Sequence, residues 1–516
     1  MTAVARSTCA AGLVAVCLLC VTLQRTPLVW FDEVYFVSAA RSVAAGGEGI
    51  PDIEPASNVN FPLPLLYGPV FFWLEGQIVT RFGPSPLTGR ILPLAGAVLT
   101  GIAAALLAQV LTRSAAWAMI AFGVVILSPE IGIAASNVRM DSLTLALELS
   151  GMSAFMWGVT RPGRTVPGGI IAGAFWGAAI LTTQRAFPFG IAVAAVTAAA
   201  LLIGKPFDRK RLLFAAAIVG AVVLAAVSLW ARHWSVTPFE WLRRVTGANG
   251  ANPMVAIGLS KEWDVGLTNV LTSALLAPLA AIASFGAMRR DSQAAGSSRF
   301  ALAIGVLAAA LMIVTTNRVF LRSIYLVLLP VVATLSLGSG LEDGRARRAF
   351  LRLGAVCLLL FIGVRAVKTF DTFDTWNARS PAAFDRLVAD HVPRGSTVVG
   401  YDEFYLYAVL SQGSSFRSYQ RDLWGDEFAP MLAAWSDRLR PSPHADATAD
   451  FLLWPDGAPW TMPEYLACAS RWPVARYDAP PARSLLDRVP GYRRLASPLR
   501  LYPSTVLYRV PAGCSI

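Results

Sequence analysis

Two adjacent carboxylates, Asp32 and Glu33, follow the first apolar segment of the chain in the stretch WFDEVYFVSAARSVAAGG (30–47). A carboxylate can take the proton from a hydroxyl nucleophile, so this pair could provide a general base. Acidic residues also favour the positive end of a helix dipole, so the same pair could mark no more than the start of a helix. Position alone does not decide between these two interpretations.

Asp141 and three arginines lie beside other apolar segments. Arg139 and Asp141 occur in SNVRMDS, Arg185 in TTQRAFP and Arg318 in TTNRVF. A guanidinium can bind a phosphate through two parallel hydrogen bonds, but it can also reach lipid headgroups from the end of a spanning helix. Asp141 could bind an acceptor or a metal ion, or it could cap the following helix. Chemical and structural interpretations both stay open for these residues.

The composition identifies a membrane protein. Of the 516 residues, 55% are hydrophobic and 15% are charged, and the mean hydropathy is +0.55. Soluble proteins carry about 25% charged residues. The net charge is +12, but most of the positive surplus falls in short loops between apolar segments. This pattern indicates orientation in a membrane rather than nucleic-acid binding.

About eleven apolar runs are long enough to predict spanning helices, which need about 20 residues each. The Lys and Arg residues of alternate connections form one consistent set, which places the N-terminus in the cytoplasm. With the N-terminus inside, the first loop (about 30–90) is expected outside. Because the number of spans is odd, the C-terminal residues are also expected outside. The predicted spans are 9–29, 91–111, 115–135, 142–159, 167–182, 187–204, 212–230, 266–288, 299–315, 319–338 and 350–369.

The first outer loop is predicted to lie on the membrane surface. Residues 30–47 place aromatic and small residues at helical spacing before a Gly-Gly end, and a second amphipathic segment is predicted from Leu65 to Arg81. Such helices lie along the interface instead of crossing it. Glu75 is expected on the polar face of the second helix. Glu148 is expected to have a structural role, since a charge inside the membrane costs about 2.5–3.5 kcal/mol or more.

Residues 371–516 predict a small α/β domain, which leaves residues 1–370 for the transmembrane domain. An amphipathic helix and a Pro-Arg-Gly turn lead to a β-branched strand at 397–401, and the runs ADFLLWP and STVLYRV are typical of later strands. Cys468 and Cys514 could form a disulfide if this domain faces an oxidising compartment.

These motifs together resemble the GT-C superfamily of glycosyltransferases. The stretches DEVYFVSAARSVAAGG, PLPLLYGPVFFWLEGQIVTRFGPSPLTGR and LSPEIGIAASNVRMDSLTLALELSGM have the order and spacing found in protein O-mannosyltransferases, lipid A aminoarabinose transferases and rhizobial galacturonosyltransferase-type proteins. The resemblance is good over about residues 28–160, loose to about residue 340, and only architectural beyond. It implies an α-helical polytopic membrane protein that moves a sugar from a polyprenyl-phosphate donor to a glycan, lipid or protein acceptor. The transfer would invert the configuration at the anomeric carbon of the sugar. It would occur on the outer face of the cytoplasmic membrane.

The resemblance also implies roles for individual residues. Asp32 matches the family's first-loop acid and is expected to be the general base, with Glu33 orienting it or binding the acceptor. Asp141 matches the acid of the second outer connection, and a divalent cation, Mg²⁺ or Mn²⁺, held by Asp32 and Asp141 is an alternative to base chemistry alone. The chain departs from the family at Arg185, where members often have a Lys-Gly turn. The residues expected to bind the donor phosphate are Arg185, Arg318 and Arg139, and those expected to contact donor or acceptor are Tyr35, Tyr67, Arg243 and Arg244.

Two other classes of protein fit part of the pattern. A lipid-linked glycan transporter or flippase would also place charges near the membrane, but it predicts polar residues on both faces and often inverted repeats. Here the polar residues cluster on one predicted face. A non-catalytic membrane-anchored envelope protein would need neither Asp32 nor Asp141. The expected partners are therefore a lipid-linked sugar, its acceptor and membrane lipids, and not nucleic acid.

Overall fold

The structure is a computed structural model that describes most of the chain. The described residues are 2–26, 31–51, 53–55, 59–60, 62–203, 206–248, 278–284, 293–315, 323–400, 406–418, 436–438, 440–441, 449–456, 468, 472–479, 484–488 and 504–511.

Helices form at the apolar runs of the sequence. In a bilayer every backbone N–H and C=O must find a partner within the protein, and a helix satisfies this requirement by itself. The helices, numbered in chain order, are α1 Thr2–Thr22, α2 Phe31–Ala44, α3 Leu63–Tyr67, α4 Pro69–Phe82, α5 Pro86–Thr112, α6 Ala115–Leu127, α7 Pro129–Ser136, α8 Asp141–Thr160, α9 Thr165–Ile180, α10 Phe187–Ile203, α11 Arg209–His233, α12 Pro238–Ala248, α13 Gln293–Thr315, α14 Ser323–Ser339, α15 Gly344–Asp374, α16 Ala382–His391 and α17 Leu406–Ser411.

Six helices within the described residues are long and apolar enough to cross a membrane. Helices α6 and α7 pass the same test as a pair, which raises the number to seven, but they are bent by 61° where Pro129 interrupts the helix. The predicted total of about eleven spans is therefore not confirmed, and most of the predicted span 266–288 lies outside the described residues. The multi-pass helical architecture itself is confirmed.

Contacts divide the chain into two compact units. The first, called here the helical unit, contains most of the apolar helices. The second, called the mixed unit, contains helices and all the described strands. The helical unit is Met1–Cys20, Pro93–Ala135 and Met140–Val367, and the mixed unit is Val21–Leu92, Ser136–Arg139 and Lys368–Ile516.

Small residues and aromatic rings pack the helical unit. Gly173 of α9 lies so close to α11 that an added Cβ would be 2.7 Å from the Val222 side chain. Close approach at small residues is a common way for helices to associate in membranes. The ring of Phe155 lies 5.6 Å from that of Trp176 and 6.3 Å from that of Phe300. This packing holds α8, α9, α11 and α13 together.

A six-stranded sheet forms the centre of the mixed unit. Its strands follow the order β1-β4-β3-β6-β8-β7, and a separate two-stranded sheet pairs β2 with β5. The pairs from β1 to β6 are parallel, and those involving β8 are antiparallel. The strands are β1 Ile53–Pro55, β2 Val59–Asn60, β3 Thr397–Gly400, β4 Ser415–Ser418, β5 Arg440–Pro441, β6 Phe451–Pro455, β7 Pro473–Tyr477 and β8 Thr505–Arg509. The predicted C-terminal strands occur as β3, β6 and β8, whereas β1 and β2, which come from the first outer loop, were not predicted.

Candidate active site

The first outer loop begins with α2, whose first turn carries both acids, Asp32 and Glu33. The helix ends at Ala44, and the chain then turns through Gly46 at φ +82°, a left-handed conformation that favours glycine. The helix predicted over residues 30–47 is therefore confirmed. The side chain of Asp32 is not among the described atoms, and its role as general base stays a prediction.

Helix α2 packs closely against α4, the second predicted amphipathic helix. A Cβ at Gly76 would lie 2.4 Å from the backbone oxygen of Ala40, so this spacing requires glycine. Phe36 of α2 meets Phe71 and Phe72 of α4 edge to face, with ring centroids 6.2 and 6.0 Å apart. These contacts hold the two helices as a pair.

Glu33 is fully buried and forms a two-point ion pair with Arg90 of α5. Arg90 Nε donates to Glu33 Oε2 at 3.1 Å, and Arg90 Nη2 donates to Glu33 Oε1 at 2.9 Å. The third nitrogen, Nη1, donates to the backbone oxygen of Leu23 at 2.7 Å. Arg90 therefore connects Glu33 in the first turn of α2 to Leu23, the residue that follows α1. The two roles predicted for Glu33, orienting Asp32 or binding the acceptor, both stay predictions.

Breaking the Glu33–Arg90 pair is expected to destabilise the fold. Glu33→Gln removes the negative charge that pairs with the buried Arg90 guanidinium, and breaking a buried ion pair costs about 3–5 kcal/mol of unfolding free energy. Glu240→Gln is the matched control, because Glu240 pairs with Arg244 across one helical turn at 2.7 Å in a partly exposed position. Exposed helix pairs contribute about 0.3–0.5 kcal/mol. Thermal unfolding of both purified variants measures the difference, and equal shifts in Tm would show that the buried pair is not a structural anchor.

The prediction for Glu75 is wrong, because its side chain is buried rather than on a polar face. The side chain is 0% exposed, and neither carboxyl oxygen has a hydrogen-bond partner in the described part of the chain. Burial, and to a lesser extent the negative charge of Glu33, raise the pKa of Glu75 well above its usual value. The close approach of the neighbouring Gly76 to α2 turns this side of α4 inward, which the amphipathic pattern alone does not reveal.

The raised pKa of Glu75 predicts a pH-dependent contribution to stability. The folded chain holds the proton more tightly than the unfolded chain, so this contribution is complete below the unfolded-state pKa of about 4.5. It is lost as the pH rises through the higher folded-state pKa. Glu75→Gln keeps the shape of a protonated carboxyl and is expected to remove this loss. Curves of Tm against pH for the wild type, Glu75→Gln and the exposed control Glu48→Gln test this, and parallel curves for all three proteins would contradict it.

Asp141 and Arg185, both in the helical unit, form a second ion pair. Asp141 is the first residue of α8, and Arg185 lies in the 3-10 turn Gln184–Ala186 before α10. Arg185 Nη1 donates to Asp141 Oδ1 at 2.8 Å, and the two side chains are only 11% and 5% exposed. The side chain of Asp141 does not cap α8, whose cap position is Met140 without a side-chain hydrogen bond. A predicted acid and a predicted phosphate-binding arginine are thus direct partners.

The turn that carries Arg185 is buried and held by hydrogen bonds. Thr182 and Thr183 are 0% exposed, and the Thr183 hydroxyl oxygen accepts a hydrogen bond from the backbone N–H of Arg185 at 3.4 Å. Among the described residues, Asp141 is the one side-chain partner of the guanidinium, and it uses Nη1. The donors on Nε and Nη2 can therefore serve an anion.

Arg139 and Arg318 are the other residues predicted to bind phosphate. Arg139 belongs to the mixed unit and is 4% exposed, and Arg318 lies outside the described residues. Their roles stay predictions. Glu148 of α8 is 4% exposed, and its backbone oxygen accepts a hydrogen bond from Trp176 Nε1 at 3.0 Å. This bond does not involve the Glu148 carboxyl, whose structural role stays a prediction.

The residues predicted to contact donor or acceptor differ in exposure. Tyr35 is 6% exposed, and the half-buried Tyr67 packs edge to face on Phe36, with ring centroids 5.3 Å apart. Arg243 is exposed on α12, whereas Arg244 forms the ion pair with Glu240 described above. Of these four, Arg243 is the most accessible to a ligand.

No prediction singled out Arg90. A lone arginine at the start of an apolar run is typical of a residue anchored at the membrane interface, and its partner Glu33 is 57 residues away in the chain. The available signal was that an acid and an arginine each stand at the outer end of a predicted helix. Many acid–arginine pairs in the sequence satisfy this description. The structure shows that Glu33 and Arg90 are one that forms.

A divalent cation was predicted to bind Asp32 and Asp141. Within the described ranges, no three side chains of His, Cys, Asp or Glu come together to form a metal site. One oxygen of Asp141 is also occupied by Arg185. The side chain of Asp32 lies outside the described atoms, so the divalent cation, Mg²⁺ or Mn²⁺, stays a prediction, and no step proposed below depends on one.

Comparison with known proteins identifies the fold. No protein-family model and no curated protein sequence matches the chain. Among solved structures, ArnT from Cupriavidus metallidurans bound to undecaprenyl phosphate matches 98% of this chain and 98% of its own, with 14% identity and a TM-score of 0.58. The oligosaccharyltransferase AglB from Archaeoglobus fulgidus, in complex with an inhibitory peptide and a dolichol-phosphate, matches 87% of this chain and 69% of its own, with 12% identity and a TM-score of 0.55. Both structures have the GT-C fold, so the predicted fold is confirmed.

Proposed function

We propose that this chain is an integral membrane glycosyltransferase that moves a sugar from a polyprenyl-phosphate donor to an acceptor hydroxyl. The observation that carries the proposal is the Asp141–Arg185 pair, which orients a guanidinium with unused donors at a buried turn of a GT-C fold. The lipid bound by ArnT is undecaprenyl phosphate, and the lipid bound by AglB is a dolichol-phosphate. A lipid phosphate is the kind of leaving group that an arginine in this position would recognise.

The proposed reaction is a single displacement. Asp32 takes the proton of the acceptor hydroxyl while the acceptor oxygen attacks the anomeric carbon. The bond from that carbon to the phosphate oxygen breaks on the opposite side, so the configuration inverts. The products are the glycosylated acceptor and polyprenyl phosphate, and the proton on Asp32 passes to water.

Arg185 has the role of stabilising the leaving phosphate. Negative charge grows on the phosphate oxygens as the bond to the sugar breaks, and donors that are already oriented stabilise this charge most effectively. Asp141 occupies Arg185 Nη1 at 2.8 Å, which leaves Nε and Nη2 for the phosphate. The Glu33–Arg90 pair has a different role, since it fixes the helix that carries Asp32.

We place this reaction on the outer face of the cytoplasmic membrane. The Lys and Arg residues of alternate connections support this orientation, and so does Cys468, which is disulfide-bonded. Structural disulfides persist in oxidising compartments and are rare in the cytosol. A topology reporter fused after residue 370 is expected to report the outer side, and a cytoplasmic signal would overturn the orientation.

Mass spectrometry of a strain that lacks this gene tests the proposed function. One sugar is expected to disappear from an envelope glycan, lipid or protein, and the matching polyprenyl-phosphate sugar is expected to accumulate because nothing consumes it. Expression of the wild-type chain should reverse both changes. Unchanged envelope sugars together with an unchanged pool of lipid-linked sugars would overturn the proposal.

A further inference from the structure

We infer that the residues after α15 position the segment that carries Asp32, with Arg379 as the main positioning residue. This inference rests on the proposed function, because it assigns a purpose to the C-terminal residues in the same reaction. It is carried by contacts within the mixed unit, which joins Val21–Leu92 with Lys368–Ile516.

Arg379 connects the C-terminal residues to Thr26, in the turn that follows α1. Its Nη2 donates to Asp371 Oδ2 at 2.7 Å, its Nε donates to Thr375 Oγ1 at 2.6 Å, and its Nη1 donates to Thr26 Oγ1 at 3.2 Å. Arg379 and Asp371 are 4% and 5% exposed. The bonds to Asp371 and Thr375 fix the guanidinium on its own segment. The bond to Thr26 therefore holds Thr26 against a fixed group.

A second contact lies beside this one. The guanidinium carbon of Arg25 lies 5.0 Å from the centre of the Trp376 ring, a cation–π geometry. Arg90 holds Leu23 and Glu33 by the bonds described above. Residues 23–26 are therefore held from two directions, by Arg90 of α5 and by the turn that follows α15.

The segment between α2 and α3 is built into the C-terminal sheets. β1 pairs in parallel with β4, with Ile53 opposite Phe416 and Glu54 opposite Arg417. Farther along the chain, β2 pairs with β5 in a separate antiparallel sheet. Because these strands lie between α2 and α3, C-terminal residues contact the chain both before and after the helix that carries Asp32.

A third contact involves α17. A Cβ at Gly89 of α5 would lie 2.6 Å from the Tyr407 hydroxyl oxygen, and Tyr407 is 3% exposed. The Tyr407 hydroxyl thus lies against the turn of α5 that holds Arg90. A second part of the C-terminal segment therefore contacts α5 next to the partner of Glu33.

Catalysis depends strongly on such positioning, since displacement of a reacting group by about 1 Å can cost about 10²-fold in rate. Arg379→Gln removes the charge-assisted bonds and is expected to lower kcat at least tenfold, with little change in KM for the lipid donor. Arg379→Lys keeps the charge but not the planar fork, so we expect partial recovery. Thr26→Val removes only the acceptor for Nη1 and leaves the Arg379–Asp371 pair in place, so its expected loss in kcat is about threefold to tenfold.

The experiment measures sugar transfer by the full-length protein, with kcat expressed per folded molecule from gel filtration. Arg386→Gln is the control, because Arg386 lies on α16 and its Nε bonds only to the backbone oxygen of Ala382 in the described residues. A purely structural role for Arg379 would reduce the folded amount and leave kcat per folded molecule unchanged. Thr26→Val keeps the test decisive if Arg379→Gln does not fold.

The outcomes separate this inference from the proposed function. Reduced kcat in Arg379→Gln or Thr26→Val, with Arg386→Gln unaffected, supports the positioning role. Wild-type kcat in both variants overturns it, while an inactive Asp32→Asn in the same assay leaves the proposed function standing. Full activity of Asp32→Asn would remove Asp32 as the base and with it the purpose assigned to Arg379, while the sugar transfer itself would stand.

Discussion

Asp32→Asn is expected to reduce sugar transfer by about 10²–10⁴-fold, the range that a general base typically contributes. Asparagine has nearly the same size as aspartate but cannot accept a proton from the acceptor hydroxyl at neutral pH. Expression and Tm should be unchanged, since the adjacent Glu33–Arg90 pair that fixes α2 is intact. The measurement is the rate of product formation by purified protein at saturating donor.

Asp390→Asn is the control for this substitution, because Asp390 is an exposed aspartate at the end of α16. It should keep the wild-type rate. Wild-type transfer by Asp32→Asn would remove Asp32 as the base and would direct attention to Asp141.

Arg185→Gln is expected to lower kcat by about 10²–10³-fold. This is the loss in rate typically caused by removing one oriented donor from a site where negative charge develops. Glutamine retains a hydrogen-bond donor but not the positive charge, and it leaves Asp141 without its 2.8 Å partner. Asp141→Asn should have a smaller effect, because the guanidinium then keeps its charge and loses only part of its orientation. Rates at saturating donor and binding of undecaprenyl phosphate are the two measurements.

Arg232→Gln is the matched control, since Arg232 is an exposed arginine at the end of α11. Unchanged kcat and unchanged lipid binding in Arg185→Gln would show that Arg185 is a structural partner of Asp141 only. Weaker lipid binding with unchanged kcat would assign Arg185 to ground-state recognition instead of to the departing phosphate.

Hydrophobic run length was sufficient to predict most helices, because a helix is the one way for a lone apolar segment to satisfy its backbone in lipid. It was less reliable for the number of spans. The segment 115–135 was predicted as one span, but it is bent by 61° at Pro129. Short helices such as α9 Thr165–Ile180 also fall below the length that crosses a bilayer unaided.

The candidate site was predicted residue by residue, but its pairings were not. Asp141 and Arg185 were assigned separate tasks, and the structure joins them in one ion pair across 44 residues of chain. Glu75 was assigned to a polar face and is buried, because the packing of Gly76 on α2 has no signature in the spacing of charged residues. Residue type indicates which chemistry a side chain can perform, whereas its partner depends on tertiary contacts.

The sheet shows the same limit on a larger scale. Three C-terminal strands were predicted from β-branched apolar runs, and they occur as β3, β6 and β8. β1 and β2 contain only three and two residues, and their segment IEPASNVN has no strand pattern of its own. They are strands because the C-terminal residues offer unpaired edges at β4 and β5.

Transfer by the purified protein in lipid vesicles tests the central claim most directly. The vesicles would contain the polyprenyl-phosphate sugar that accumulates in the strain without this gene, together with extract from that strain as the acceptor source. The proposed reaction predicts that polyprenyl phosphate and glycosylated acceptor appear in equal amounts with the wild-type chain, and that neither appears with Asp32→Asn. Movement of the intact lipid-linked sugar to the other leaflet, with no polyprenyl phosphate released, would contradict the account and identify a transporter.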